Sequence, residues 1–243
     1  MWTRICKLGV GNVKKKVVKR KIKFIPVLLV LLAVALTCFL IKVAFDFKIQ
    51  NIYIINNKNL TDEYIIKKGN LEYYPSYFGT LKYSLEKKLE KDVYIEEVKI
   101  KKQFFGVINI EVDENDVLFY NEINKKYVLE DKNEVDSIPY KISPIRLITN
   151  EKSPDIPEKV YDEFITRISK LDQEIKTKIS QVKYDPSEYD DKRFLLYMVD
   201  GNYVYTTLSK FKSVNYYNEI YPTLEGKKGI LYLDSGNHFQ EIK

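Results

Sequence analysis

Apolar and polar positions follow three different patterns along the chain. From Phe24 to Ile41 the sequence is apolar and carries no charge, close to the ~20 residues a helix needs to cross a bilayer. Lys42 interrupts this run. A Lys stem near a helix end can still carry its ammonium to the headgroups, so Val43, Ala44 and Phe45 extend the span. The pattern predicts a transmembrane helix over 24–45, anchored between Phe24 and Ile41 with Lys42 at its outer end. A cleaved signal peptide is the competing reading. It needs a short apolar core and then a small-residue cleavage site, but the one A-x-A, Ala33-Val34-Ala35, lies inside the run with Leu36, Phe39, Leu40 and Ile41 after it. The reading adopted is an uncleaved anchor.

Between 47 and 115 the pattern is that of a small α+β unit. Ile49, Ile52, Ile54 and Ile55 predict a strand, and Asn56-Asn57-Lys58-Asn59 a turn. Thr61 is placed to cap a helix whose first turn holds Asp62 and Glu63, ending near Gly69-Asn70. The aromatic-rich segment Leu71–Gly79 is expected to pack between this helix and a second one, capped by Thr80 and striped by Leu81, Leu85 and Leu89; the alternative is a sticky partner-binding loop presenting Tyr73, Tyr74, Tyr77 and Phe78. Two strands close the unit. Ile95, Val98 and Ile100 alternate roughly; Ile108, Ile110 and Val112 alternate cleanly with Asn109, Glu111 and Asp113. A turn at Gln103–Gly106 joins them, giving the order β-α-α-β-β.

From 116 to 243 a β-rich unit with two helices is expected. Predicted strands are Val117–Tyr120, Tyr127–Glu130, Ile145–Thr149, Ile179–Tyr184, Phe194–Val199, Tyr203–Thr206 and Gly229–Leu233. One helix covers 157–171, with Phe164, Ile168 and Leu171 on one face, and another runs from about Ser209 to Leu224. Asp200-Gly201-Asn202 is a hairpin turn that needs positive φ.

Charge then fixes the topology. Residues 1–23 hold nine Lys or Arg and no acid. Such a tail stays in the cytoplasm, and the chain beyond the span is exported. Without those nine, 31 basic residues face 34 acidic ones, about −3 for the rest. The outer body is therefore no nucleic-acid binder by charge, and the tail is read as contacting anionic lipid. Cys6 falls in the tail and Cys38 in the span, so the outer body has no cysteine and depends on apolar packing rather than disulfides.

Catalytic chemistry finds no foothold. His238 is the one histidine. It stands in a terminal turn without a nucleophile motif and reads as a solvated loop residue. Zinc needs clusters of His or Cys. The acidic groups Asp113-Glu114-Asp116 and Asp185-Glu188-Asp190-Asp191 lack the EF-hand spacing. Asn59-Leu60-Thr61 matches a glycosylation sequon but is explained by a turn and helix cap. The expectation is no enzyme, no metal and no cofactor.

Four stretches resemble one family. Phe47–Thr61 is similar to the opening of the POTRA domain in FtsQ/DivIB cell-division proteins. Tyr94–Ile100 with Ile108–Val112 resembles that domain's closing hairpin, although the family often has a Pro where this chain has Phe104-Phe105-Gly106. Tyr197–Val204 and Lys228–Gly236 are similar to segments near the family's end. The resemblance implies a non-enzymatic scaffold at the division septum of the bacterial cell membrane. It would link early division proteins to FtsB/DivIC-like and FtsL-like coiled-coil proteins and to the septal peptidoglycan synthase. An exported POTRA-type chaperone or transport-associated protein is the alternative. The terminal strand Gly229–Leu233 is expected to have one unpaired edge, which can template an added strand; the alternative reading is that it simply completes the sheet. The resemblance also directs partner binding to this end. The expected partner-binding residues are Ile230, Leu231, Tyr232, Leu233, Ser235, Gly236 and Phe239, with Tyr232 the main anchor and Phe239 the second.

Overall fold

A computed structural model describes residues 24–149 and 155–242. The basic tail, Cys6 and the nine tail cations lie outside the described residues. Helix α1, Phe24–Asp46, is long and apolar enough to cross a membrane. At 1.5 Å per residue it spans about 35 Å, slightly more than the ~30 Å hydrocarbon core. The helix continues through Ile41 and Lys42 without a break.

From Lys48 on, the chain forms one compact unit with two apolar cores. The first is built on a three-stranded sheet of β1 (Asn51–Ile55), β3 (Val107–Glu114) and β2 (Ile95–Gln103), in the order β1-β3-β2. β1 runs parallel to the central β3, and β2 antiparallel to it. The strict alternation in β3 buries Ile108, Ile110 and Val112 completely. They face helices α2 (Asp62–Gly69) and α3 (Lys82–Leu89), which contribute Ile65, Leu85 and Leu89. Thr61 caps α2 by accepting the Tyr64 amide at 3.2 Å, and Asn70 closes it at φ 56°.

Two expectations fail in this layer. Thr80 does not cap α3, because its hydroxyl donates to Ser76 O at 2.8 Å. A hydroxyl committed to the preceding turn is no longer available to the helix. Leu81 becomes the capping position and stays exposed. Nor does the aromatic segment pack between the helices. Tyr77 joins the core, but Tyr73, Tyr74 and Phe78 face out.

A short link joins the two layers. The buried Glu114 carboxylate accepts the backbone N–H groups of Lys58, Asn59 and Leu60 at 2.7–3.0 Å, and Asp116 pairs with Lys58 at 3.0 Å. The acidic cluster thus has a structural use: it satisfies the amides that precede α2. Asn115 adds a bond to Val93 O. Tyr140, from the second layer, packs on the first core, and burial pushes its phenol well above the usual range.

The second layer holds β4 (Val117–Asn121), β5 (Lys126–Leu129), β6 (Glu134–Val135), β7 (Ile145–Ile148), α4 (Glu158–Ser169), α5 (Gln173–Lys176), β8 (Ile179–Tyr184), β9 (Arg193–Met198), β10 (Tyr203–Thr207), α6 (Tyr217–Ile220), β11 (Gly229–Tyr232) and β12 (His238–Glu241). Nine strands form one mixed sheet in the order β12-β11-β10-β9-β8-β7-β4-β5-β6. α4 lays Val160, Phe164, Ile165 and Ile168 on its face. Phe164 stacks on Phe194 at 4.7 Å, and Phe211 meets Phe164 edge-on at 5.8 Å.

The helix expected over 209–224 is instead three short pieces: a 3-10 turn at Phe211–Tyr216, then α6, then a 3-10 turn at Tyr221–Leu224. Pro222 has no N–H to donate into a continuing helix. β6, α5 and β12 are additions to the elements expected from sequence.

Candidate functional site

The strand Gly229–Leu233 is not an edge, contrary to expectation. β11 lies between β10, to which it is parallel, and β12, to which it is antiparallel. The reversal is local. Gly236 and Asn237 both adopt positive φ, 82° and 50°, and this double left-handed step folds the chain back on itself. The open edge at this end of the sheet is therefore β12. Ile242 N donates to Lys228 O across the ladder at 3.0 Å. Antiparallel donors alternate between the two sides of a strand, so the Phe239 and Glu241 amides point away from the sheet.

β11 is held in register by a buried polar node. Asn202, in the β9–β10 turn, accepts Gly229 N at 2.9 Å and donates to the Tyr217 hydroxyl at 3.1 Å. Tyr217 donates to Asp200 at 2.6 Å. Burial, with the Asp200 carboxylate beside it, keeps that phenol protonated well above its ordinary range. Gly229 itself is required by space, since a Cβ there would stand 2.2 Å from Gln240 O and 2.7 Å from Phe239 Cζ.

The two faces of β11 differ as alternation predicts. Leu231 and Leu233 are 3% and 2% exposed and join the core, with Phe239 packed against them from β12. Ile230 and Tyr232 lie half-buried on the other face. Ser235 and Gly236 form the turn, where the Ser235 hydroxyl bonds Asp234. The structure thus brings Ile230, Tyr232 and Phe239 next to the open edge and places Leu231 and Leu233 beneath it.

A row of stacked side chains crosses four strands on the outer face and ends at that edge. The Arg193 guanidinium lies 4.1 Å from the Tyr205 ring centre. Tyr205 stacks on Tyr232 at 5.5 Å, and Tyr232 on His238 at 4.7 Å. Asp185 fixes Arg193 from behind at 3.0 Å. Burial alone would raise the Asp185 carboxyl, but bonds from Lys183 and Arg193 outweigh it and hold the group below its usual range. Tyr232 also donates to Gln240 at 3.2 Å. Nothing in the sequence marks Arg193 or Tyr205 as belonging to this site. His238 is exposed, as expected of a solvated residue, but stands in a strand rather than a loop, with its ring on Tyr232 and Nδ1 3.0 Å from Ser235 O. This arrangement offers an aromatic-backed strand with outward main-chain donors and acceptors. Among the described residues no group of three or more His, Cys, Asp or Glu is arranged to hold a metal ion.

The first layer matches a family model, and the chain as a whole has relatives among known proteins. Residues 47–115 match the FtsQ-type POTRA domain. The chain is 30% identical to the cell division protein DivIB of Bacillus anthracis over 200 residues, covering 80% of this chain and 74% of that protein. It is 29% identical to DivIB of Listeria monocytogenes over 233 residues, covering 93% and 83%. A solved extracytoplasmic domain of the Geobacillus stearothermophilus division protein DivIB, in its trans isomer, superimposes with a TM-score of 0.34 at 19% identity, over 46% of this chain and 96% of that domain. On the strength of the sequence matches, the chain belongs to the DivIB family of cell division proteins.

Proposed function

We propose that this protein is a non-enzymatic scaffold of the division septum that captures a partner by strand addition to the open edge of β12. α1 holds it in the cell membrane as a single pass, with the basic tail inside and the body from Lys48 outside. The partners are membrane-anchored coiled-coil division proteins of the FtsB/DivIC and FtsL types, and through them the septal peptidoglycan synthase.

The observation that carries this reading is the edge itself. The interior of β12, Phe239-Gln240, carries no Pro and no charge, so two of the usual protections against an added strand are missing there. Main-chain bonds would supply affinity, and the side chains alternating on the two faces would supply selectivity. Tyr232, with Phe239 second, is the aromatic anchor, since buried aromatics dominate interface energies.

Substituting Glu241→Pro removes an outward amide and leaves the inward bonds of Gln240 and Ile242 in place. Co-purification of the DivIC-type partner with the full chain should be lost while the melting temperature is retained and the protein still inserts in the membrane. Undiminished co-purification would contradict the assignment.

A further inference from the structure

We propose that the aromatic end of the first layer sits in the headgroup–acyl boundary of the outer leaflet, giving the protein a second, peripheral hold on the membrane besides α1. This rests on the topology proposed above, with the body outside.

The β2–β3 hairpin ends in Phe104 and Phe105, which are 89% and 87% exposed. Phe105 adopts φ 63°, a left-handed conformation that disfavours a bulky side chain and that hairpin turns usually give to Asn or Gly. The chain thus accepts a disfavoured conformation in order to present two adjacent phenyl rings outward. Water gives no return on that arrangement, whereas a lipid interface does, and aromatic rings concentrate at that depth.

The neighbouring loop adds to the same end. Tyr73 is 88% exposed, and Tyr74 and Phe78 also face out. Tyr77 ties this loop to the hairpin by donating to Gln103 O at 2.7 Å. Lys102 reaches from β2 to Thr80 O at 2.9 Å, with its ammonium 4.1 Å from the Tyr77 ring centre. Ile49 N bonds Pro75 O at 3.0 Å, and Gln50 N bonds Gly106 O at 2.8 Å. Both aromatic segments are therefore fastened to residues 48–50.

Chain reach supplies the occupant. α1 ends at Asp46, and four residues of extended chain span at most about 14 Å. However the body turns, Gln50 stays within that distance of Asp46, and the Gly106 carbonyl that it bonds lies one hydrogen bond, 2.8 Å, further on. An exposed aromatic cluster tethered so closely to a bilayer meets lipid before it meets any diffusing protein.

The test uses the full chain in phospholipid discs. Trp2 is the one tryptophan, so Trp2→Phe gives a silent background. Into it go Phe104→Trp and Tyr73→Trp at the proposed contact, Phe39→Trp in α1, and Tyr189→Trp, a 96% exposed position of the second layer, as the aqueous reference. Phe104→Trp and Tyr73→Trp should emit to the blue of Tyr189→Trp, be quenched by lipids labelled near the carbonyls, and resist iodide. Iodide quenching of both without lipid quenching, while Phe39→Trp is quenched by lipids labelled at the chain end, would overturn the contact and leave the anchor standing. Failure of Phe39→Trp to be quenched would overturn both. A blue shift that appears only when a DivIC-type partner is added, without lipid quenching, would assign the surface to protein and also overturn the proposal.

Discussion

The imidazole of His238 lies face to face with the ring of Tyr232, 4.7 Å between centroids and 10° from parallel. This pair joins the edge strand to its neighbour on the outer face and terminates the row that begins at Arg193. Tyr232 therefore has two roles, supporting β12 and standing beside the edge where a partner would add. Tyr232→Ala should lower stability by about 1 kcal/mol through lost ring contacts, and should weaken DivIC-type binding by about 2 kcal/mol or more. Thermal melting and titration of the same preparation separate the two effects. An equal loss in both would reduce Tyr232 to a structural residue.

Gly229→Ala addresses the strand rather than the ring. The added methyl would collide with the Gln240 backbone, so β12 must move away from β11 while the first core, which lies in another sheet, is untouched. Proteolysis near residue 238 should rise sharply, and partner capture should fall at least tenfold, equivalent to about 1.4 kcal/mol. Unchanged protease resistance would show that β12 tolerates the shift.

Glu114→Ala removes the carboxylate that serves three amides ahead of α2. A buried donor left unsatisfied costs about 1–3 kcal/mol before relaxation; of the three, the Leu60 amide is the buried one, while those of Lys58 and Asn59 are partly open to water. The variant should lose about 3 kcal/mol overall in a denaturant titration, and the loss should be confined to the first layer. Hydrogen exchange should accelerate at Ile65 and Ile110 while remaining unchanged at Phe194.

Alkaline pH tests the stacked row. Burial, followed by the Asp185 carboxylate, pushes the Tyr205 phenol from 10.0 up to about 12. A raised folded-state value means that the stabilisation is fully present below pH 10 and is lost as pH rises through about 12. Tyr205→Phe should therefore flatten the fall in melting temperature across that window relative to the native chain. A parallel pair of curves would show that Tyr205 ionises as freely folded as unfolded.

Much of the fold was legible because a single local rule decided each feature. The two-residue period of Ile108, Ile110 and Val112 can serve only a strand with one buried face. Thr61 followed by Asp62 and Glu63 has no better use than a helix start. Asp200-Gly201-Asn202 specifies its own turn, and Gly201 sits at φ 90° as required. Where two local rules compete, sequence alone misleads. Thr80 suits a cap, but its hydroxyl bonds Ser76 O instead. The stretch 209–224 carries an apolar stripe, but Pro222 interrupts the helix.

The candidate site was only half legible for a different reason. β12 has one apolar residue, Phe239, between polar ones, and four residues give no period to read. Arg193, Tyr205, Tyr232 and His238 lie on four successive strands of the sheet, and the parallel step from β10 to β11 brings distant segments side by side. No spacing along the chain announces such a row. Tyr232 is reached from its strand alone, and its stacking partners become visible only with the sheet order.

The most direct measurement is hydrogen exchange of the full-length protein, in the membrane, with and without a DivIC-type partner. Strand addition predicts slowed exchange at the outward amides of Phe239 and Glu241, with little change at Gln240 and Ile242, whose donors already face β11. Protection confined to residues 47–115, with Phe239 and Glu241 exchanging as before, would contradict the account and move the partner to the POTRA layer.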